Sequence, residues 1–192
     1  IISSPENENI DRQKLESAYK LLFTEDRFML YKSMLIIRNG KLIAEAYTKD
    51  PNDISRIENI QSVTKSITSI LTGIALEKNI LDSLNQTFYS IFPDKYSSHL
   101  DKKDFTIKQA LSMSLPIDFD NSSNYEDFYF SNNTIEYVLS RPIKPQLVNR
   151  WNYNDATPQL VSYAIECRYG KPLAMFAKEF LLDKLAITSW KW

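Results

Sequence analysis

Ser62 and Lys65, in the run Ser62-Val63-Thr64-Lys65, are the residues whose types and spacing most readily suggest chemistry. A serine hydroxyl is a weak nucleophile until a neighbouring base takes its proton, and a lysine can do so only as the neutral amine. Residues three apart share a helix face, so one turn holds the amine within reach of the hydroxyl, and burial favours the uncharged amine. This S-x-x-K spacing serves acyl transfer through serine. It also occurs in Ser17-Ala18-Tyr19-Lys20, so spacing alone does not decide. Context favours Ser62. Beyond it, Val63, Ile67, Ile70, Leu71 and Ile74 recur at helical spacing, while Ser62, Ser66, Ser69 and Gly73 form a second stripe of small residues. The pattern predicts a closely packed helix with Ser62 at its N-terminus, where backbone N–H groups and the helix dipole favour developing negative charge. An ordinary helix start followed by a surface lysine is the other reading of the spacing.

Several elements must position such a pair. Apolar residues at 15, 18, 19, 22 and 23 predict an amphipathic helix over Leu15 to Phe23. Met34-Leu35-Ile36-Ile37 and Leu42 to Tyr47 flank Asn39-Gly40, which predicts a hairpin with a type I′ turn. A short helix is expected over Ile107 to Met113 with Thr106 as its cap, and a longer one from Pro158 to Tyr169, stopped by Gly170. The Asn- and Ser-rich stretch Asp118 to Asn133 reads as a long loop carrying Tyr125, Phe128, Tyr129 and Phe130.

The 192 residues suffice for one folding unit. No apolar run reaches the ~20 residues needed to cross a bilayer, so no transmembrane segment is expected. Net charge is -1, which leaves no basic field for nucleic acid. One histidine and one cysteine exclude the common zinc sites and any internal disulfide, and only three glycines leave no phosphate-binding loop. Neither metal nor cofactor is expected. Cys167 reads as a buried structural thiol and His99 as a solvated loop residue.

The segment Gln61 to Ala75 resembles the nucleophile helix of the β-lactamase-related serine hydrolases, which include class C β-lactamases, D-alanyl-D-alanine peptidases, esterases and nylon-oligomer hydrolases. The hairpin around Ile37-Arg38-Asn39-Gly40-Lys41, the helix opening Thr106-Ile107-Lys108-Gln109-Ala110-Leu111-Ser112-Met113, the run Trp151-Asn152-Tyr153-Asn154-Asp155 and the segment Phe180 to Trp190 are similar to family segments in the same order. The resemblance implies an α+β, β-lactamase/transpeptidase-like fold, a helical lobe beside an antiparallel sheet, with residues 1–60 supplying a helix and hairpin and 61–192 the nucleophile helix and helical lobe. It implies catalysis by Ser62, Lys65 and Tyr153 on a small ester, amide or peptide, Tyr153 being the tyrosine of the family's Y-x-N motif. It also points to a periplasmic or secreted setting, as does the absence of an initiating Met.

Three departures qualify the resemblance. Asp155 stands where Asn is usual, on the substrate side of the site; its carboxylate would favour the Lys65 ammonium, or else caps the helix that follows. Ser114-Leu115-Pro116 replaces the usual Ser-Gly, and no Lys-Thr-Gly or His-x-Gly triplet occurs. The expectation is therefore an N-terminal part whose last strands are missing, with association through the open sheet edge. A noncatalytic binding module is the alternative to a hydrolase.

Overall fold

A computed structural model describes residues 1–192, apart from the side chain of Pro51, and divides them into two compact units. These are Ile1–Asn59 with Lys191, and Ile60–Trp190 with Trp192.

The first unit holds helix α1 (Arg12–Thr24), strand β1 (Ser33–Arg38) and strand β2 (Lys41–Tyr47). Asp11 caps α1 by accepting the Lys14 N–H, and Leu15 and Leu22 are its buried residues. The strands pair antiparallel through the Asn39-Gly40 turn, whose φ values of 52° and 71° are both positive, as a type I′ turn requires. Ile43, Ala44 and Ala46 of β2 are buried, and Ile2 bridges its second edge at Leu42. Among the described residues the outer edge of β1 has no strand partner.

Glu8 ties this turn down, and no pattern in the sequence marks it. Its side chain, only 3% exposed, accepts from Lys41 Nζ (2.6 Å), Asn39 Nδ2 (2.9 Å) and Ser3 Oγ (2.9 Å). The Lys41 bond, followed by those of Asn39 and Ser3, lowers its carboxyl from 4.5 to about 2. A depressed carboxyl stabilises the fold above its unfolded value and ceases to do so as pH falls through the folded one. The melting temperature of the native chain is therefore expected to drop between pH 4.5 and 2, and Glu8→Gln to remove most of that component; thermal scans of both proteins across this window check it.

The second unit is helical: α2 (Val63–Glu77), α3 (Phe88–Ile91), α4 (Ile107–Leu111), α5 (Asn121–Tyr129), α6 (Thr134–Ser140), α7 (Thr157–Tyr169) and α8 (Leu173–Ala177), the last continuing into a π turn over Lys178–Leu182. α7 lies at its centre, packing on α2, α3, α4, α6 and α8 and burying Leu160, Val161, Ala164 and Ile165. Around it Leu71, Phe88, Ile107, Leu115, Leu139 and Phe176 complete one core. Gly170 ends α7 at φ 78°, donating its N–H to Glu166 O. Thr106 and Gln109 form a reciprocal capping box at α4. The architecture is α+β, a helical unit and a unit carrying a two-stranded antiparallel sheet.

Four expectations are corrected. Residues 121–129 are helix rather than loop, because Asp120 accepts the Ser122 N–H and Phe128 anchors the segment against Phe119 and Tyr137. Cys167 is exposed, since it falls outside the inward stripe of α7, although partial burial still pushes its thiol up. The His99 side chain is only 12% exposed and bonds Glu136 Oε1 at 2.8 Å. Gly73 faces outward, and a β-carbon there would meet nothing within 4 Å, so it marks no close helix contact.

Candidate active site

Ser62 stands just before α2 in helical conformation (φ -64°, ψ -12°), exposed, and its side chain caps nothing. Its neighbour Gln61 has φ 48°, the left-handed region that a residue with a β-carbon enters at a cost of roughly 1–2 kcal/mol. That residue turns the chain into the helix. The first turn is tight: the N–H groups of Val63, Thr64 and Lys65 donate to the carbonyls of Ile60, Gln61 and Ser62 at 3.0, 3.1 and 3.0 Å. Those three amides are thus engaged, contrary to the sequence-based expectation that the helix start offers them to a reacting oxygen.

One turn on, Lys65 Nζ donates to Ser62 Oγ at 3.0 Å. It also forms a short ion pair with Asp155 Oδ1 and lies 5.1 Å from the centre of the Tyr153 ring. The side chains of Lys65 and Asp155 are 20% and 23% exposed. Burial disfavours the ammonium, but the Asp155 carboxylate, joined by Tyr153, outweighs it and holds the Lys65 pKa above its ordinary value. In this arrangement Lys65 is a proton donor to Ser62, and it must shed a proton before it can accept one.

The other Ser-x-x-Lys pair is not assembled in this way. Ser17 lies inside α1 and donates its hydroxyl back to the Gln13 carbonyl at 2.8 Å.

The segment carrying Tyr153 and Asp155 is held by its neighbours. Asn152 N donates to Met113 O at 2.8 Å and Asp155 N to Asn121 Oδ1 at 3.1 Å. The helix-start bond expected of Asp155 is made by Asn154: the N-cap position of α7 is Ala156, and fully buried Asn154 accepts the N–H of the first helical residue, Thr157, at 2.8 Å and donates to Asn152 O at 2.7 Å. Sequence reasoning passed over Asn154, although an Asn three residues before Thr157 is an ordinary cap signal. Asn154→Ala is expected to cost about 2 kcal/mol, because it removes the acceptor at the start of α7 and leaves the N–H of fully buried Thr157 without a partner. A lower urea midpoint at unchanged slope checks this. Freed from capping, the Asp155 carboxylate faces Lys65, while Tyr153 is 41% exposed rather than packed into the core.

Ser62, Lys65, Tyr153 and Asp155 therefore come together within the second unit. The loop Ser114-Leu115-Pro116 leads Leu115 and Ile117 into the core, and Ile117 bridges Ile143. Among the described residues no cluster of His, Cys, Asp and Glu could hold a metal ion, and no helix is long and apolar enough to cross a membrane.

The Beta-lactamase family model matches residues 32–192. Among solved structures, FmtA from Staphylococcus aureus is similar with TM-score 0.70 and 21% identity over 91% of this chain and 49% of its own. A penicillin-binding protein homolog from Caulobacter crescentus gives 0.65 and 14% over 91% and 48%. A Bacillus anthracis protein described as a 6-aminohexanoate-dimer hydrolase gives 0.63 and 16% over 77% and 42%. The chain spans about half the length of these structures. No protein with a curated description matches it.

Proposed function

The chain belongs to the β-lactamase family, whose members are typically serine hydrolases, and from that premise we propose that it carries the nucleophile of a hydrolase acting on an ester or amide. The observation that carries the reading is the 3.0 Å contact between Lys65 Nζ and Ser62 Oγ, on one turn of helix and beside Tyr153.

In the first step neutral Lys65 takes the hydroxyl proton as Ser62 Oγ bonds to the carbonyl carbon, and the carbonyl π pair moves onto oxygen. The Ser62 N–H, which has no backbone acceptor among the described residues, is the donor assigned to that oxyanion in this reading. The C–O or C–N bond then breaks, and the proton passes from Lys65 by way of the Tyr153 phenol to the leaving group. Water, deprotonated by the same pair, releases the acyl group and restores Ser62.

A second reading, a noncatalytic binding module, is favoured by one feature: the Asp155 carboxylate holds Lys65 as the ammonium. The two readings separate on treatment with a fluorophosphonate from pH 7 to 10, followed by peptide mass mapping. Covalent mass on the peptide containing Ser62, growing with pH, supports the hydrolase. Absence of label across the whole range, with the chain folded, favours the binding module.

A further inference from the structure

We propose that the exposed face of α5 binds an alkylammonium group carried by the substrate, with Tyr125, Glu126, Tyr129 and Phe130 as its contacts; this rests on the hydrolase reading of Ser62 and names a substrate class for it. α5 begins beside the site, since Asn121 at its first position accepts the Asp155 N–H at 3.1 Å. Its inner face is settled by Phe128, buried against Phe119 and Tyr137. The remaining aromatic side chains are not needed for that packing: Tyr125, Tyr129 and Phe130 are 44%, 64% and 77% exposed.

Scattered exposed rings are normal on any surface. These three are joined. Tyr125 and Tyr129 stack with centroids 5.7 Å apart, and Tyr129 meets Phe130 edge-on at 5.3 Å. They form a preassembled ring surface roughly one to two and a half turns along from Asn121, about 6 to 13 Å by helical rise, with Phe130 at the C-cap.

The charged residues of α5 itself, Glu126 and Asp127, carry one sign. Glu126 sits three and four residues before Tyr129 and Phe130 and so lies between them on the helix surface. Its carboxylate makes no ion pair or side-chain hydrogen bond among the described residues. Asp127 adds a second exposed carboxylate, and the last turn of α5 carries no basic residue. The carbonyl end of the helix contributes further negative potential. Ring faces with an unpaired carboxylate between them attract an organic cation, whereas a plain apolar group gains nothing from the charge and an anion is repelled.

Two measurements test this, one of which needs no turnover. Tetramethylammonium chloride titrated into the Ser62→Ala chain is expected to shift the ring resonances of Tyr129 and Phe130 saturably, beyond what sodium chloride does, and Glu126→Gln or Tyr129→Leu to weaken this at least severalfold. No saturable shift, or one that survives both substitutions, overturns the site.

The second measurement compares two ester pairs, one with trimethylammonium at the end of the acyl chain and one at the end of the alcohol, each against its neutral tert-butyl isostere. At least one cationic ester is expected to show roughly tenfold higher kcat/KM than its isostere, the scale of one cation–π contact with a nearby carboxylate. That ratio should fall towards one in Glu126→Gln and Tyr129→Leu. Esters turned over at equal rates would detach the site from the substrate. Cation binding without turnover of any ester would uphold the cation site while removing the hydrolase reading and the substrate role resting on it.

Discussion

Ser62→Ala is expected to lower ester turnover by on the order of a thousandfold or more, and to abolish covalent labelling, without lowering the melting temperature. Loss of the nucleophile in serine hydrolases removes nearly all rate enhancement that passes through the acyl-enzyme, leaving only binding and oxyanion stabilisation. Folding should be indifferent because the Ser62 side chain caps no backbone amide and is exposed. Among the described residues its hydroxyl is hydrogen-bonded by Lys65, whose ammonium keeps Asp155 as a partner. Turnover, label mapping and thermal scans of the two proteins, with Ser17→Ala as control, check this. Ser17→Ala should behave as the native chain, since that hydroxyl is committed to the Gln13 carbonyl. Labelling that survives in Ser62→Ala and vanishes in Ser17→Ala would overturn the assignment.

The elements legible in the sequence are those whose signals are local. Asn39-Gly40 demands positive φ at two successive positions, and few chains satisfy that outside a hairpin turn. The Thr106–Gln109 box and the Pro158 to Gly170 frame likewise announce α4 and α7 within a few residues. Residues 118–133 were not legible, because Asn and Ser favour turns by bonding their own backbone. Here the same chemistry caps a helix instead: Asp120 takes the Ser122 N–H, and burial of Phe128 against distant Phe119 and Tyr137 decides the outcome. The site divides in the same way. Ser62 and Lys65 are three residues apart and visible together, whereas the pairing of Lys65 with Asp155 spans ninety positions. Position 155 offered two readings, helix cap or lysine partner. They could be separated only once Asn154 was seen to make the helix-start bond. Glu8 lies beyond local reasoning for the same reason, since its partners Asn39 and Lys41 are remote in the chain.

Asp155→Asn is expected to move the rising limb of Ser62 acylation to lower pH by about one unit, the scale of one neighbouring opposite charge, and so to raise the rate at neutral pH by up to about tenfold. The sign follows from the geometry. Lys65 is raised above its ordinary value, burial acting downward and the Asp155 carboxylate more strongly upward, so at neutral pH nearly all of it is ammonium and only the small neutral fraction can accept the Ser62 proton. Removing the charge while keeping an amide oxygen in its place preserves an acceptor for Lys65 and leaves the desolvation that favours the amine. Stability should respond oppositely. A lysine raised by folding stabilises the fold below its unfolded value and ceases to do so as pH rises through the folded one. The native chain should thus gain from the pair across neutral pH and lose that gain above about 10.5, a loss that Asp155→Asn should not show. Acylation rates from pH 5 to 11 and melting temperatures over the same range make the comparison. A downward-shifted limb with a slightly lower neutral melting temperature is expected. Superimposable rate profiles would mean that the Ser62 proton leaves by a route that does not wait for Lys65 to become neutral, with the Lys65–Asp155 pair serving only to hold the two segments together. Asp155→Asn should leave the helix-start bond of α7 intact in either case, since that bond is made by Asn154.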